Sequence, residues 1–237
     1  TVLQTRLSEA AHQERHADLL RDLATALRTT IAIAAPVGIL VSVLRVPIIQ
    51  LIFERGAFDS TATQRVAALL PWMLPGMVAM LCVVMLFKAL FARGDLRAGV
   101  VLGVLGPAMY FALSGWLSGL FGVRGIGAAY SITWITIATV GVDSLYRTRE
   151  RGWRVLHRST VVFAGKLSGA IAVSGAVTGF ATHLLFHEAG SLNTVGLALR
   201  IAAASAFGAS TYLAIAVYVW RIPELSAVLR ALKIDFN

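Results

Sequence analysis

Gly99-Val100-Val101-Leu102-Gly103-Val104-Leu105-Gly106-Pro107-Ala108-Met109-Tyr110-Phe111-Ala112-Leu113-Ser114-Gly115-Trp116-Leu117-Ser118-Gly119-Leu120-Phe121 contains no charged side chain. A helix crosses the hydrocarbon core of a bilayer with about 20 apolar residues rising about 1.5 Å each, and this stretch meets that length. Five further stretches of the same character lie at residues 27–47, 66–91, 125–146, 159–184 and 194–220. The chain therefore reads as all-α, a polytopic transmembrane helix bundle with six predicted spans.

Composition agrees. Of the 237 residues, 57% are hydrophobic and 14% charged, with a mean hydropathy of +0.76, which is too apolar for an ordinary soluble domain. The net charge of +9 raises the question of nucleic acid, but the placement of the 21 lysines and arginines answers it. Fifteen fall in alternate flanking segments (1–28, 88–97, 147–158 and 221–237) and only four in the segments between them (45–65, 124 and 183–193). Short basic loops are retained on the cytoplasmic side, so both ends of this chain are expected to be cytoplasmic, and no nucleic-acid partner is needed. Anionic lipid headgroups attract such cations by about 1 kcal/mol each. The lone cysteine, Cys82, lies within a span and offers neither a disulfide nor a cysteine metal site.

The chain opens on Thr1-Val2-Leu3-Gln4 with no signal-peptide pattern, and reads as a piece of a longer protein. Three regions are expected: 1–26, the end of a preceding span and a connector helix; 27–150, four spans; and 151–237, two terminal spans and a cytoplasmic tail. Residues 8–28 place Leu19, Leu20, Leu23 and Leu27 at helical spacing, which suggests a surface helix feeding the first span. Pro36 and Gly38, then Pro71, Pro75 and Gly76, then Gly106 and Pro107, interrupt three successive spans. A proline frees a backbone carbonyl that only protein or a hydrated cavity can satisfy within a bilayer, so a moving or cavity-lining bundle is expected. Glycines four apart (Gly99 and Gly103, Gly115 and Gly119, Gly165 and Gly169, Gly175 and Gly179) suggest close helix approach, as does the small-residue run 202–210.

Catalytic groups are sparse. His12 and His16, and His183 with His187 and Glu188, are spaced as metal pairs but lack further ligands. No nucleophile-elbow, phosphate-loop or dinucleotide pattern occurs, so neither an enzyme nor a cofactor is expected. Ionisable groups inside spans cost about 2.5–3.5 kcal/mol at the centre and point to function. Arg200 and Lys166 are therefore candidate cavity residues, alongside Tyr110 and Ser114, the polar pair four apart in the uncharged span.

The loops carry a resemblance. Thr1-Val2-Leu3-Gln4-Thr5-Arg6-Leu7-Ser8 is similar to a family motif T-V-L-L-P-R-L-S. Pro47-Ile48-Ile49-Gln50-Leu51-Ile52-Phe53-Glu54-Arg55-Gly56-Ala57-Phe58 is similar to P-I-V-x-L-L-F-x-R-G-A-F. Phe91-Ala92-Arg93-Gly94-Asp95-Leu96-Arg97 and Gly125-Ile126-Gly127-Ala128-Ala129-Tyr130-Ser131 follow in the same order, similar to F-Y-A-R-G-D-T-R and G-L-A-L-A-T-S. By these motifs residues 1 to about 150 resemble the MurJ/MviN family of the multidrug/oligosaccharidyl-lipid/polysaccharide (MOP) exporter superfamily. Thr5, Ala98-Gly99 and Tyr130 depart from its pattern.

The resemblance implies the C-terminal part of a fourteen-span MOP-type transporter of the bacterial inner membrane, from the end of span eight onward. It implies a lipid II flippase working by alternating access. Its partners would be a lipid-linked sugar precursor, the phospholipid bilayer, the missing N-terminal half and cytoplasmic cell-wall regulators. Arg55, Gly56, Phe58, Arg93, Gly94 and Asp95 would set loop and gate geometry, with left-handed turns at Gly56 and Gly94 and a helix cap from Asp95. Export of another lipid-linked precursor, or a degenerate scaffold that recruits cytoplasmic partners, are the alternatives.

Overall fold

The structure, a computed structural model, describes the backbone of residues 2–146, 150–187 and 194–219, and side chains within 21–145, 163–186 and 194–218. Glu188, the tail beyond 219 and the side chains of His12, His16 and His187 lie outside the described residues. Among the described residues seven α-helices follow one another: α1 Val2–Val43, α2 Arg45–Phe53, α3 Ser60–Ala92, α4 Leu96–Phe121, α5 Val123–Tyr146, α6 Glu150–His187 and α7 Thr194–Ala214, the last continued by a π-helical turn at Ile215–Val219. No strand occurs among the described residues. Among the described residues, six helical stretches are long and apolar enough to cross a membrane: Arg21–Val43, Ser60–Ala92, Leu96–Phe121, Val123–Leu145, Phe163–Phe186 and Thr194–Tyr218. These match the six expected spans, with shifts at their ends.

One expectation is corrected, the break at Pro36, while the connector runs straight into the first span: α1 is unbroken from Val2 to Val43. No glycine or proline precedes Pro36, so nothing in residues 2–35 stops the helix. The first span does not break at Pro36, which α1 carries inside it. It breaks at Leu44, and α2 begins at Arg45. Pro47 is the third residue of α2; it has no N–H to return to the Val43 carbonyl, yet a first-turn position tolerates that loss.

α3, α4 and α5 form one packed group, with α5 lying against both of the others. α6 pairs with α7, and α1 runs between the two groups, touching α3, α6 and α7. One apolar core joins Leu23 of α1 to Leu86, Leu90, Leu102, Ile137 and Leu145. The second joins Ala32 of α1 to Phe163, Leu167, Ala170 and Tyr212.

Lipid tails are as apolar as leucine, so helix pairing in a bilayer relies on packing and on hydrogen bonds. The Tyr212 hydroxyl donates to the Ala32 carbonyl at 2.6 Å, tying α7 to α1. Ser174 Oγ donates to the Gly208 carbonyl at 2.8 Å, tying α6 to α7.

The small-residue pattern located the close contacts only in part. A Cβ at Gly103, Gly115, Gly119, Gly165 or Gly179 would meet nothing within 4 Å, whereas one at Gly175 would lie 3.1 Å from Ile39 of α1 and one at Gly99 would lie 2.7 Å from the Phe91 ring. In the run 202–210, a Cβ at Gly208 would strike Thr178 and Leu40; outside the spaced pairs, one at Gly76 would lie 2.6 Å from Ser131 Cα. Four-residue spacing marks a helix face without saying whether that face meets a helix, and much of the outward face of α4 is open.

Candidate functional site

The loop residues hold geometry. Gly56 and Gly94 have φ of +59° and +77°, a region that side chains with a Cβ rarely enter. Asp95 Oδ1 accepts from the Ala98 N–H at 3.2 Å and caps α4, while Asp59 caps α3 through the Ala62 N–H at 2.8 Å. Arg93 Nη1 donates to the Leu145 carbonyl at 3.2 Å, fixing the α3–α4 corner to the end of α5. Arg55 is exposed and donates back to the Leu51 carbonyl at 3.3 Å, and the Phe58 ring lies 5.9 Å from that of Phe53.

The four candidate cavity residues do not converge. Arg200 donates to the Leu185 carbonyl and binds the start of α7 to the far end of α6. Lys166 is exposed near the start of the membrane-crossing stretch Phe163–Phe186 of α6, 19 residues before Leu185, or about 28 Å along the helix. Tyr110 packs edge-on against Tyr130 at 5.9 Å, and Ser114 Oγ donates to the Phe111 carbonyl at 3.0 Å. They are spread along three helices.

What the fold does assemble is a seam between α1 and α3. At one end, Arg45, Gln64, Ala67, Ala68, Pro71, Trp72 and Arg124 enclose a cavity of about 330 Å³. Next to it, and sharing Pro71, an apolar cavity of about 340 Å³ is lined by Ala35, Gly38, Ile39, Ser42, Leu74, Pro75, Val78 and Ile171. A third, of about 390 Å³, shares Pro75 and Val78 and continues past Leu27, Ile31, Ala79, Cys82 and Leu86, bordered by Ile135, Ala138, Thr139 and Val142. On α1 the lining positions 27, 31, 35, 38 and 42 form one face, and on α3 the positions 64, 67, 71, 74, 78, 82 and 86 do likewise.

The prolines explain the opening. Pro71 and Pro75 lack the N–H groups that would close helical bonds, and the small residues Ala35 and Gly38 face them across the seam. α5 bridges the turn beside Pro75: the Gly76 N–H donates to Ser131 Oγ at 2.8 Å, and that hydroxyl donates to the Trp72 carbonyl at 2.5 Å. A serine that satisfies backbone groups opened next to a proline lets a membrane helix carry such a break. The expected link between proline and cavity thus holds at α3. Pro36 and Pro107 line none of these three cavities.

Sequence reasoning missed Arg45 and Arg124. They are two of only four cations in the flanks on the cation-poor side, at 45–65 and 124, and that scarcity was the available signal.

Six apolar helices in two tied groups, joined along a seam that is polar at one end, define a multi-pass α-helical membrane protein. The family description "Lipid II flippase MurJ" matches residues 1–198. The chain belongs to the MurJ lipid II flippase family. A solved structure titled "Lipid II flippase MurJ, inward closed conformation" superposes with a TM-score of 0.63 at 18% identity, covering 93% of this chain and 43% of the other. This chain thus spans less than half of that protein's length. Among curated proteins, none matches significantly.

Proposed function

We propose that this chain supplies the C-terminal part of a flippase that moves lipid II, an undecaprenyl-diphosphate-linked peptidoglycan precursor, across the bacterial inner membrane by alternating access. The observation that carries the reading is the family match over residues 1–198, and the six-span bundle supports it. Movement runs from the inner to the outer leaflet, with both ends of this chain cytoplasmic, in keeping with the charge bias. An N-terminal half would complete the cavity, and the charged segment 8–28 and the basic segment 147–158 would meet cytoplasmic regulators. Arg55, Gly56, Phe58, Arg93, Gly94 and Asp95 hold the loops whose geometry the cycle must preserve. Lys166 and Arg200, toward opposite ends of the membrane-crossing stretches of α6 and α7, serve substrate in opposite leaflets.

Complementation tests this. Expressed from its native gene in bacteria depleted of their own lipid II flippase, the protein is expected to restore growth and outer-leaflet exposure of lipid II. Correct insertion without either result would overturn lipid II as the substrate and favour another lipid-linked precursor or a scaffold.

A further inference from the structure

We propose that the α1–α3 seam is a binding site for a single-chain polyprenyl diphosphate, with its phosphates against Arg45 and Arg124 and its tail laid along α3. The proposal deepens the flippase reading and rests on it for the identity of the lipid.

Charge argues for the head. Arg45 ends the break after α1 and Arg124 opens α5, so two cations 79 residues apart in sequence meet at one cavity. Two guanidinium forks match two phosphoryl groups, and arginine engages phosphate in paired hydrogen bonds. Arg45 Nη1 donates to the Ser42 carbonyl at 2.8 Å, which orients the fork and engages one of its five donors. The cavity wall also supplies the Gln64 amide and the face of Trp72, whose side chain is half exposed. An amide and an aromatic face are groups that sugars bind.

Continuity argues for the tail. The shared walls at Pro71, and then at Pro75 and Val78, join the cationic cavity to two apolar ones. From Gln64 to Leu86 the path follows α3 for 22 residues, or about 33 Å, close to the hydrocarbon thickness of about 30 Å. Leu86 and Leu90 pack with Leu23 in a closed core at the far end, so cationic side chains line one end only. The path follows one face of α3 throughout, walled by α2 and α5 at the head and then by α1 with Ile171 of α6 and with α5; a phospholipid would bring one phosphate to the two arginines and a second acyl chain to that face.

The test uses the protein expressed from its native gene, in phosphatidylcholine nanodiscs. The probe is a polyprenyl diphosphate carrying a diazirine at the end of its chain, with crosslinks mapped by mass spectrometry. Labelling is expected on α1 and α3 around Ile31, Val78 and Cys82. At subsaturating probe it should fall about tenfold in Arg124→Gln and in Arg45→Gln, the loss expected for one charge-assisted contact. Gly38→Leu should block the tail path and abolish this labelling, while inorganic diphosphate should still compete for the head cavity in the parent protein. Arg124 is exposed, so its variant should fold whatever becomes of the others.

Labelling confined to other helices, or unchanged in Arg124→Gln, overturns the site. So does equal competition by phosphatidylglycerol, which would make the seam a general anionic-lipid groove. Lipid II flipping is measured on the same preparations. Seam labelling without flipping keeps the site and rejects the transport reading; flipping without seam labelling does the reverse.

Discussion

Ser131 Oγ stands between the Gly76 N–H and the Trp72 carbonyl, which would bond to each other in an uninterrupted helix. Replacing it with alanine deprives two buried groups of their bridge, at a cost of about 1–3 kcal/mol, and should lower the thermal midpoint in detergent. Gly76→Ala should do the same by overpacking, since its Cβ would sit 2.6 Å from the Ser131 backbone, where no rotamer offers relief. Asp95→Ala should cost about 1 kcal/mol through loss of the α4 cap; a midpoint equal to the parent's would refute that role. The cap was legible because Asp followed by a helical run is a local signal. Ser131 could be seen only as the end of a motif. Its partners lie 55 and 59 residues away, and no spacing rule reaches that far.

At the level of elements, helix existence was written in runs of apolar residues, while helix interruption was not. Pro36 and Pro47 look alike in sequence, yet α1 absorbs the first and breaks just before the second. What decides is the partner available to each freed carbonyl. The same holds for pairing. Gly208 is one small residue in a run of small residues, and a Cβ there would strike Thr178 and Leu40. Gly208→Leu should therefore force α7 off α6, costing about 1–3 kcal/mol and exposing the α6–α7 pair to protease, whereas Gly179→Leu, in open space, should change neither readout. Of the candidate site, the loop corners were readable from their Arg-Gly pairs; the seam was not, because it belongs to two faces that only packing brings together.

For the molecule as a whole, the charge alternation makes an orientation prediction. In a Cys82→Ala background, Ala57→Cys and Lys88→Cys are both exposed reporters on opposite sides of α3. A membrane-impermeant maleimide should label position 57 in intact cells and position 88 only after permeabilisation; the reverse pattern would invert the topology. The span count was legible because bilayer thickness imposes one length on every crossing, whereas the arrangement of spans depends on hydrogen bonds between distant residues. Those bonds sort the molecule into two parts. Ser131 fastens α5 to α3, and Tyr212 and Ser174 fasten α1, α7 and α6 to one another. Along the seam the two parts meet through aliphatic and small side chains such as Ala35, Ile39, Leu74 and Val78, contacts that have no directional preference. The three adjoining cavities lie along that meeting line, so filling them would act on the two parts as a wedge acts on a hinge.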